Sequence, residues 1–228
     1  RSAARYIVEQ ARARPGDITV VAVGPLGNLA QALRLEPHLA GLLKQVIVMG
    51  GSISEPGNVS PVAESNIWHD PHAADIVLTA GFPLTLVGLD VTHRVRMPLA
   101  LFERLADRQR HPATDALLHA VRFYAGFYGR IEPELAALPG CYGHDALALA
   151  YLVQPTLFVT QAGRVRVATE GLAEGQTIMD RREHIPYPQP GWEEQIPRIQ
   201  AALEVDAPAC LALFESTLGR NWLSSRPD

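Results

Sequence analysis

An α/β fold, with an open, mostly parallel sheet flanked by helices and a more helical C-terminal half, is what this 228-residue sequence predicts. Three observations predict it. Short apolar runs rich in β-branched residues recur at 18–23, 46–49 and 84–89, without the alternation of a strand that has one wet face. Helical stripes separate them. Gly, Pro, Asn and Asp mark the joints, so the order is strand, helix, strand, helix, strand, the pattern of a parallel sheet with crossover helices.

Taken in order, Ala3, Ala4, Ile7, Val8 and Ala11 form one helical stripe over 2–14, which Pro15-Gly16-Asp17 ends. Residues 18–23 read as a strand buried on both faces, closed by the turn Gly24-Pro25-Leu26-Gly27-Asn28. Helical periodicity resumes over 29–35, breaks at Glu36-Pro37 and returns over 38–43. Residues 46–49 are the next buried strand, followed by Gly50-Gly51. Residues 52–69 have no period and are rich in Ser, Gly, Pro and Asn, a loop of the length that carries function. Asp70-Pro71 opens a helix, as N-cap and first-turn proline, that runs to Ala80 and closes at Gly81. Residues 84–89 are the third buried strand, ending at Asp90.

In the second half, 99–108, 113–128 and 145–153 read as helices and 165–169 as an edge or hairpin strand. Residues 186–190 read as an extended surface segment, and 193–203 and 208–218 as terminal helices. No repeat, low-complexity tract or domain boundary interrupts the chain, so 1–228 is expected to be a single domain. Ligands of a parallel sheet bind outside the carboxyl ends of its strands, which places the turns after Val23, Met49 and Leu89 on one rim.

Composition narrows the function. Twenty Lys and Arg against 24 Asp and Glu leave a net charge of −4, and Lys44 is the single lysine. With no basic excess or stripe, nucleic acid is not an expected partner. No apolar stretch reaches the roughly 18 residues of a membrane span. The first residues show no signal-peptide pattern, so a cytoplasmic protein is expected. Cys141 and Cys210 lie far apart without metal-type spacing and are expected to be reduced, buried thiols. Neither Gly24-Pro25-Leu26-Gly27 nor Met49-Gly50-Gly51-Ser52 is a dinucleotide or P-loop fingerprint, and no G-x-S-x-G elbow exists.

Three sets of residues could carry chemistry. Asn58, Glu64 and Asn66 put two carboxamides and a carboxylate into the long loop, a set suited to a polyhydroxylated ligand such as a sugar. The same residue types also populate turns and caps. His144-Asp145 precedes an apolar helix. Asp145 is either its N-cap or a hard oxygen ligand for Ca²⁺ or Mg²⁺. In the second case His144 stands where it could give a proton to a leaving group. Asp90 and His93 sit at the rim and either act there or pair with backbone donors. His69, His72 and His111 read as surface histidines, and Asp180-Arg181-Arg182 as a turn or ion pair.

The ordered set of these pieces resembles the inosine-uridine-preferring nucleoside hydrolases. Residues Val21-Ala22-Val23-Gly24-Pro25-Leu26-Gly27-Asn28-Leu29-Ala30 carry the resemblance first, then Val48-Met49-Gly50-Gly51, Pro56-Gly57-Asn58 and Ala63-Glu64-Ser65-Asn66-Ile67. Asp70-Pro71, Val87-Gly88-Leu89-Asp90-Val91-Thr92-His93 and His144-Asp145 follow at matching spacing, and Gly175-Gln176-Thr177 with Asp180 extends it. The resemblance implies a Rossmann-like sheet and hydrolysis of the N-glycosidic bond of ribonucleosides to ribose and free base, with one bound Ca²⁺. It implies Asp145 as a side-chain calcium ligand and the Val23 carbonyl as another. Asn58, Glu64 and Asn66 would hold the ribose hydroxyls, Met49 would pack near the sugar, and His144 would be the leaving-group acid.

The family opens with an Asp-rich segment, D-x-D-x-x-x-D-D, which supplies further calcium ligands and the aspartate that deprotonates water. No such cluster occurs in this sequence. The resemblance therefore implies the C-terminal two-thirds or so of such an enzyme, and little or no activity for these 228 residues alone. The alternative is a ribose- or nucleoside-binding pseudoenzyme without the general base. Ser65 stands where an aromatic residue is usual, Ala146 where Pro is, and Gly27 where Thr is common. The complete protein is expected to be a homodimer or homotetramer.

Overall fold

A computed structural model describes residues 2–183 and 186–220. The first half alternates as expected: α1 (Ala3–Ala13), β1 (Thr19–Ala22), α2 (Gly27–Leu35), α3 (Leu39–Leu42), β2 (Gln45–Met49), α4 (Ser65–Trp68), α5 (Pro71–Leu78), β3 (Leu84–Val87) and α6 (Leu89–Thr92). The second half holds β4 (Arg96–Pro98), α7 (Leu99–Arg108), α8 (Pro112–Ile131), α9 (Pro133–Ala137), β5 (Gly140–Tyr142) and α10 (His144–Val153). It closes with β6 (Phe158–Val167), β7 (Thr177–Asp180), β8 (Arg198–Val205) and α11 (Ala207–Leu218).

The strand order of the main sheet is β1-β2-β3-β8-β6-β7. The first four strands run parallel, with Val20 opposite Val46 and Val46 opposite Leu84, and β6 and β7 complete the sheet antiparallel. Alternation along β2 fills both faces. Val46 and Val48 pack with α1, α2 and α5 residues, while Ile47 and Met49 pack with Leu147 of α10 and Cys210 of α11. A third cluster, around Met97, Phe102, Leu105, Val121 and Tyr128, joins α7 and α8 to the antiparallel pair β4 and β5. Among the described residues no helix is long and apolar enough to cross a membrane.

Several expectations are corrected. All four β1 residues are half-buried rather than buried, because among the described residues β1 is the outermost strand and pairs only with β2. The third strand stops at Val87. Gly88 follows, where a Cβ would lie 2.6 Å from the Gly51 carbonyl oxygen, and Asp90 therefore sits on the helical turn α6. Residues 165–167 end a ten-residue strand that pairs antiparallel with the next strand, β7, which is the hairpin alternative; it lies between β8 and β7 and not at an edge. Residues 198–203, expected within a helix over 193–203, belong to strand β8. Ile199 and Ala201 face one core cluster and Ala202 the other. Small alanines on a strand buried on both faces look like helix formers in the sequence. The loop over 52–69 contains α4, and β5 precedes α10. Asp70 caps α5 as expected, accepting from Ala73 N at 3.0 Å. His111 is more than a surface histidine, since its Nδ1 accepts from Ala113 N at 3.1 Å and caps α8. Cys141 and Cys210 are free and buried.

Candidate active site

The segment after β2 is fixed from three directions. At Gly51 the chain turns with φ +77°, a conformation that favours glycine. Glu64, 2% exposed, reaches back, and its Oε2 accepts from Gly51 N at 3.0 Å. The same oxygen caps α4 through Asn66 N at 3.0 Å and Ile67 N at 3.3 Å. Asp90 accepts from Ile53 N at 2.8 Å and Ser54 N at 2.7 Å, the backbone-pairing role open to it in the sequence. Thr177 of β7 holds Ser52.

Residues 57–63 form a tight return, with Gly57 N donating to Pro61 O and Asn58 N to Ala63 O. Asn58 Oδ1 accepts from Ser65 N at 2.9 Å. Asn66 Nδ2 donates to the Met49 carbonyl at 3.1 Å and lies 3.3 Å from its sulfur. These internal bonds leave Asn58 Nδ2, Glu64 Oε1 and Asn66 Oδ1 without partners among the described residues. One amide donor and two acceptors remain, a set complementary to a sugar diol.

Across from this loop, α10 begins at Gly143, which takes the cap position. The N-cap reading of Asp145 therefore fails, because the residue lies inside the first turn. Burial raises its carboxyl above the ordinary aspartate range. His144 Nδ1 lies 2.8 Å from Thr92 Oγ1 and its Nε2 2.9 Å from Tyr128 Oη. Tyr128 Oη lies 3.2 Å from Tyr124 Oη. Burial, with the His93 ring close by, pushes the His144 pKa down to about 4, so the imidazole is neutral at pH 7. Burial raises the Tyr128 hydroxyl and pushes Tyr142 up to about 12, and Tyr142 donates to Glu132 Oε2 at 2.5 Å.

Of the residues singled out in the sequence, Val23, Met49, Asn58, Glu64, Asn66, His144 and Asp145 line one cavity of about 500 Å³, while Asp90 and His93 are not among its lining. That volume is within the usual range for a small-molecule site. Val23 follows the last registered pair of β1 and β2, Ala22 opposite Val48, at the carboxyl end of its strand. The far end of the cavity is apolar, lined by Met97, Phe102, Val121 and Phe214. Sequence reasoning missed Thr92, Tyr124, Tyr128 and Tyr142. The four-residue spacing of Tyr124 and Tyr128 on one helix was a signal, but nothing local tied that helix to His144.

The description "inosine-uridine preferring nucleoside hydrolase" belongs to a family model that matches residues 1–212. The chain belongs to that family. Among relatives of this nucleoside hydrolase chain, a probable uridine nucleosidase 2 of Arabidopsis thaliana is 36% identical over 220 residues, covering 96% of this chain and 66% of the relative. An inosine-uridine preferring nucleoside hydrolase of Leishmania major is 36% identical over 193 residues, covering 84% of this chain and 57% of its own. Among solved structures, a plant nucleoside hydrolase superposes with a TM-score of 0.87 at 33% identity, covering 95% of this chain and 66% of that one. A purine-preferring ribonucleoside hydrolase from Gardnerella vaginalis gives 0.84 at 32%, covering 96% and 66%. The chain thus spans 57–66% of the length of these relatives.

Proposed function

We propose that the protein takes part in hydrolysing the N-glycosidic bond of a ribonucleoside, releasing ribose and free base. The carrying observation is the convergence of a diol-complementary loop and the His144–Asp145 pair on one cavity. Asn58, Glu64 and Asn66 would grip the ribose hydroxyls, and Met49 would pack against the sugar. Such contacts let binding energy favour the flattened, oxocarbenium-like ribose of glycoside cleavage. The Glu64 and Asp145 carboxylates line the same cavity and would favour the positive charge that develops on the sugar. His144 and its tyrosines would attend the departing base.

Calcium fits by donor type and not by number. The Asp145 carboxylate and Val23 carbonyl are hard oxygens, as Ca²⁺ prefers, but the ion takes about 6–8 of them. Among the described residues no group of three or more His, Cys, Asp or Glu is placed to hold a metal. Asp145 and Val23 are therefore proposed as part of a calcium site. The same shortage favours a second reading, in which these residues bind ribose without turnover.

The test is His144→Ala in the natural full-length protein, with inosine and uridine as substrates and Ca²⁺ titrated calorimetrically. Loss of turnover on at least one nucleoside supports the acid role, and unchanged turnover of both overturns it. Ribose binding that ignores calcium and no turnover by the parent protein would favour the second reading.

A further inference from the structure

Thr92 is fully buried on α6, and its hydroxyl has one hydrogen-bonding partner among the described residues, His144 Nδ1 at 2.8 Å. A threonine on a helix often turns its hydroxyl back to the carbonyl four residues earlier, as Thr79 does to Asp75 O at 2.7 Å. Thr92 makes no such bond to Gly88, whose carbonyl already takes the Val91 and Thr92 amides. A buried O–H with a single available acceptor donates to it, because the alternative strands the proton in the core. Nδ1 must then be the bare nitrogen, and the ring proton of neutral His144 sits on Nε2.

That assignment propagates outward. Nε2–H donates to Tyr128 Oη, so the Tyr128 proton turns to Tyr124 Oη, 3.2 Å away. Tyr124 lines the cavity, and having accepted from Tyr128 it has its own O–H left to point inward. Tyr142, the third tyrosine near the ring, spends its proton on Glu132.

We infer that Thr92 is a positioning residue that fixes His144 as the Nε2–H tautomer and thereby sets the direction of the hydrogen bonds that run from His144 through Tyr128 to Tyr124. The inference rests on reading the cavity as the nucleoside site. It assigns hydrogen-bond direction only. Alone, neutral His144 is not the final source of a transferred proton.

The experiment is ¹⁵N NMR of the histidine rings in the natural full-length protein, without substrate, with the His144 signals assigned by their loss in His144→Ala. The shifts separate a protonated ring nitrogen from a bare one. The expected result is a bare Nδ1 and a protonated Nε2 in the parent protein and in Thr92→Ser, with that preference lost in Thr92→Val. A protonated Nδ1 in the parent protein, or an unaltered spectrum in Thr92→Val, overturns the inference. The parent spectrum decides even if Thr92→Val fails to fold. In turnover, Thr92→Val is expected to lower kcat about tenfold with little change in KM, and Thr92→Ser to restore it. The tautomer is read without catalysis, so failure of the hydrolase reading would show as inert nucleosides beside an intact Nε2–H signal.

Discussion

Thr177 and Ser52 hold each other twice across 125 positions of chain: Thr177 Oγ1 accepts from Ser52 N at 2.8 Å and donates to Ser52 O at 2.6 Å. Both residues are buried. One hydroxyl thus satisfies both main-chain groups of the residue after the Gly50-Gly51 turn. It ties the outermost antiparallel strand, β7, to the loop that carries the ribose-complementary side chains.

Thr177→Val keeps the shape and removes the hydroxyl. It orphans a buried N–H and a buried C=O, so a loss of about 2 kcal/mol or more is expected. Urea unfolding of the natural protein and the variant measures it. A midpoint shift with unchanged slope would show that stability fell rather than the cooperativity of unfolding. An unshifted midpoint would mean that water replaces the hydroxyl.

This clip also marks where the sequence was legible and where it was not. The β1-α2-β2 and α5-β3 alternation could be read because parallel strands are apolar on both faces and their helices are capped locally, as Asp70 caps α5. Of the cavity residues, Asn58, Glu64, Asn66, His144 and Asp145 could be picked out by residue type in a long loop or at a helix start, whereas Val23 and Met49 came only with the family resemblance. Strand β8 could not. Its partner β3 lies more than a hundred residues away, and Ala201 and Ala202 carry no strand preference of their own. Thr177 and Thr92 stood in recognisable motifs but without a role, and Tyr128 had no role either, for the same reason: each acts on a group far away in sequence, and only the folded chain shows that group.

Glu64 is predicted to trade stability for binding. Burial raises its carboxyl above the ordinary 4.5, although three backbone N–H groups pull it down. An acid with a raised folded pKa holds its proton more tightly folded than unfolded. Ionised Glu64 therefore weakens the fold above that pKa, and the penalty is relieved as pH falls towards the unfolded value. Glu64→Gln retains an amide oxygen for the three N–H donors and removes the charge. Its stability at pH 7 is expected to match or exceed the parent's, with a flatter dependence between pH 5 and 8, while ribose binding falls. Urea midpoints at both pH values and ribose calorimetry test this. A variant that loses stability at pH 7 would show that the anion holds the loop.

The two thiols report on the cavity separately. Burial pushes both Cys141 and Cys210 from 9.0 up to about 11, so at pH 8 their thiolate fraction is about a hundredfold below that of the unfolded chain. Iodoacetamide is expected to modify both quickly in urea and slowly in the native protein. Cys141 lines the candidate active site and Cys210 does not. A bound nucleoside should slow Cys141 further and leave Cys210 as it was, read by mass spectrometry of the two peptides. Equal protection of both would place the nucleoside elsewhere or imply a global tightening.

Gly57 is the residue on which the loop depends sterically. A Cβ there would lie 2.2 Å from Ala63 O, 2.3 Å from Ser60 O and 2.4 Å from Ala63 N. All three are backbone atoms, so no side chain can rotate out of the way. The return over 57–63 would have to open, breaking the bonds from Gly57 N to Pro61 O and Asn58 N to Ala63 O. Asn58 would move with it and lose Ser65 N. Overpacking of this kind destabilises by about 1–3 kcal/mol in a compact site. Here part of the strain can escape into the exposed loop, so Gly57→Ala is expected to weaken ribose binding more than it lowers the urea midpoint. Asn58→Ala, which deletes the amide without moving the backbone, separates the two effects. If Gly57→Ala binds ribose as well as the parent while Asn58→Ala does not, the return is pliant and the amide alone matters. If both lose binding and only Gly57→Ala loses stability, the glycine sets the position of the amide.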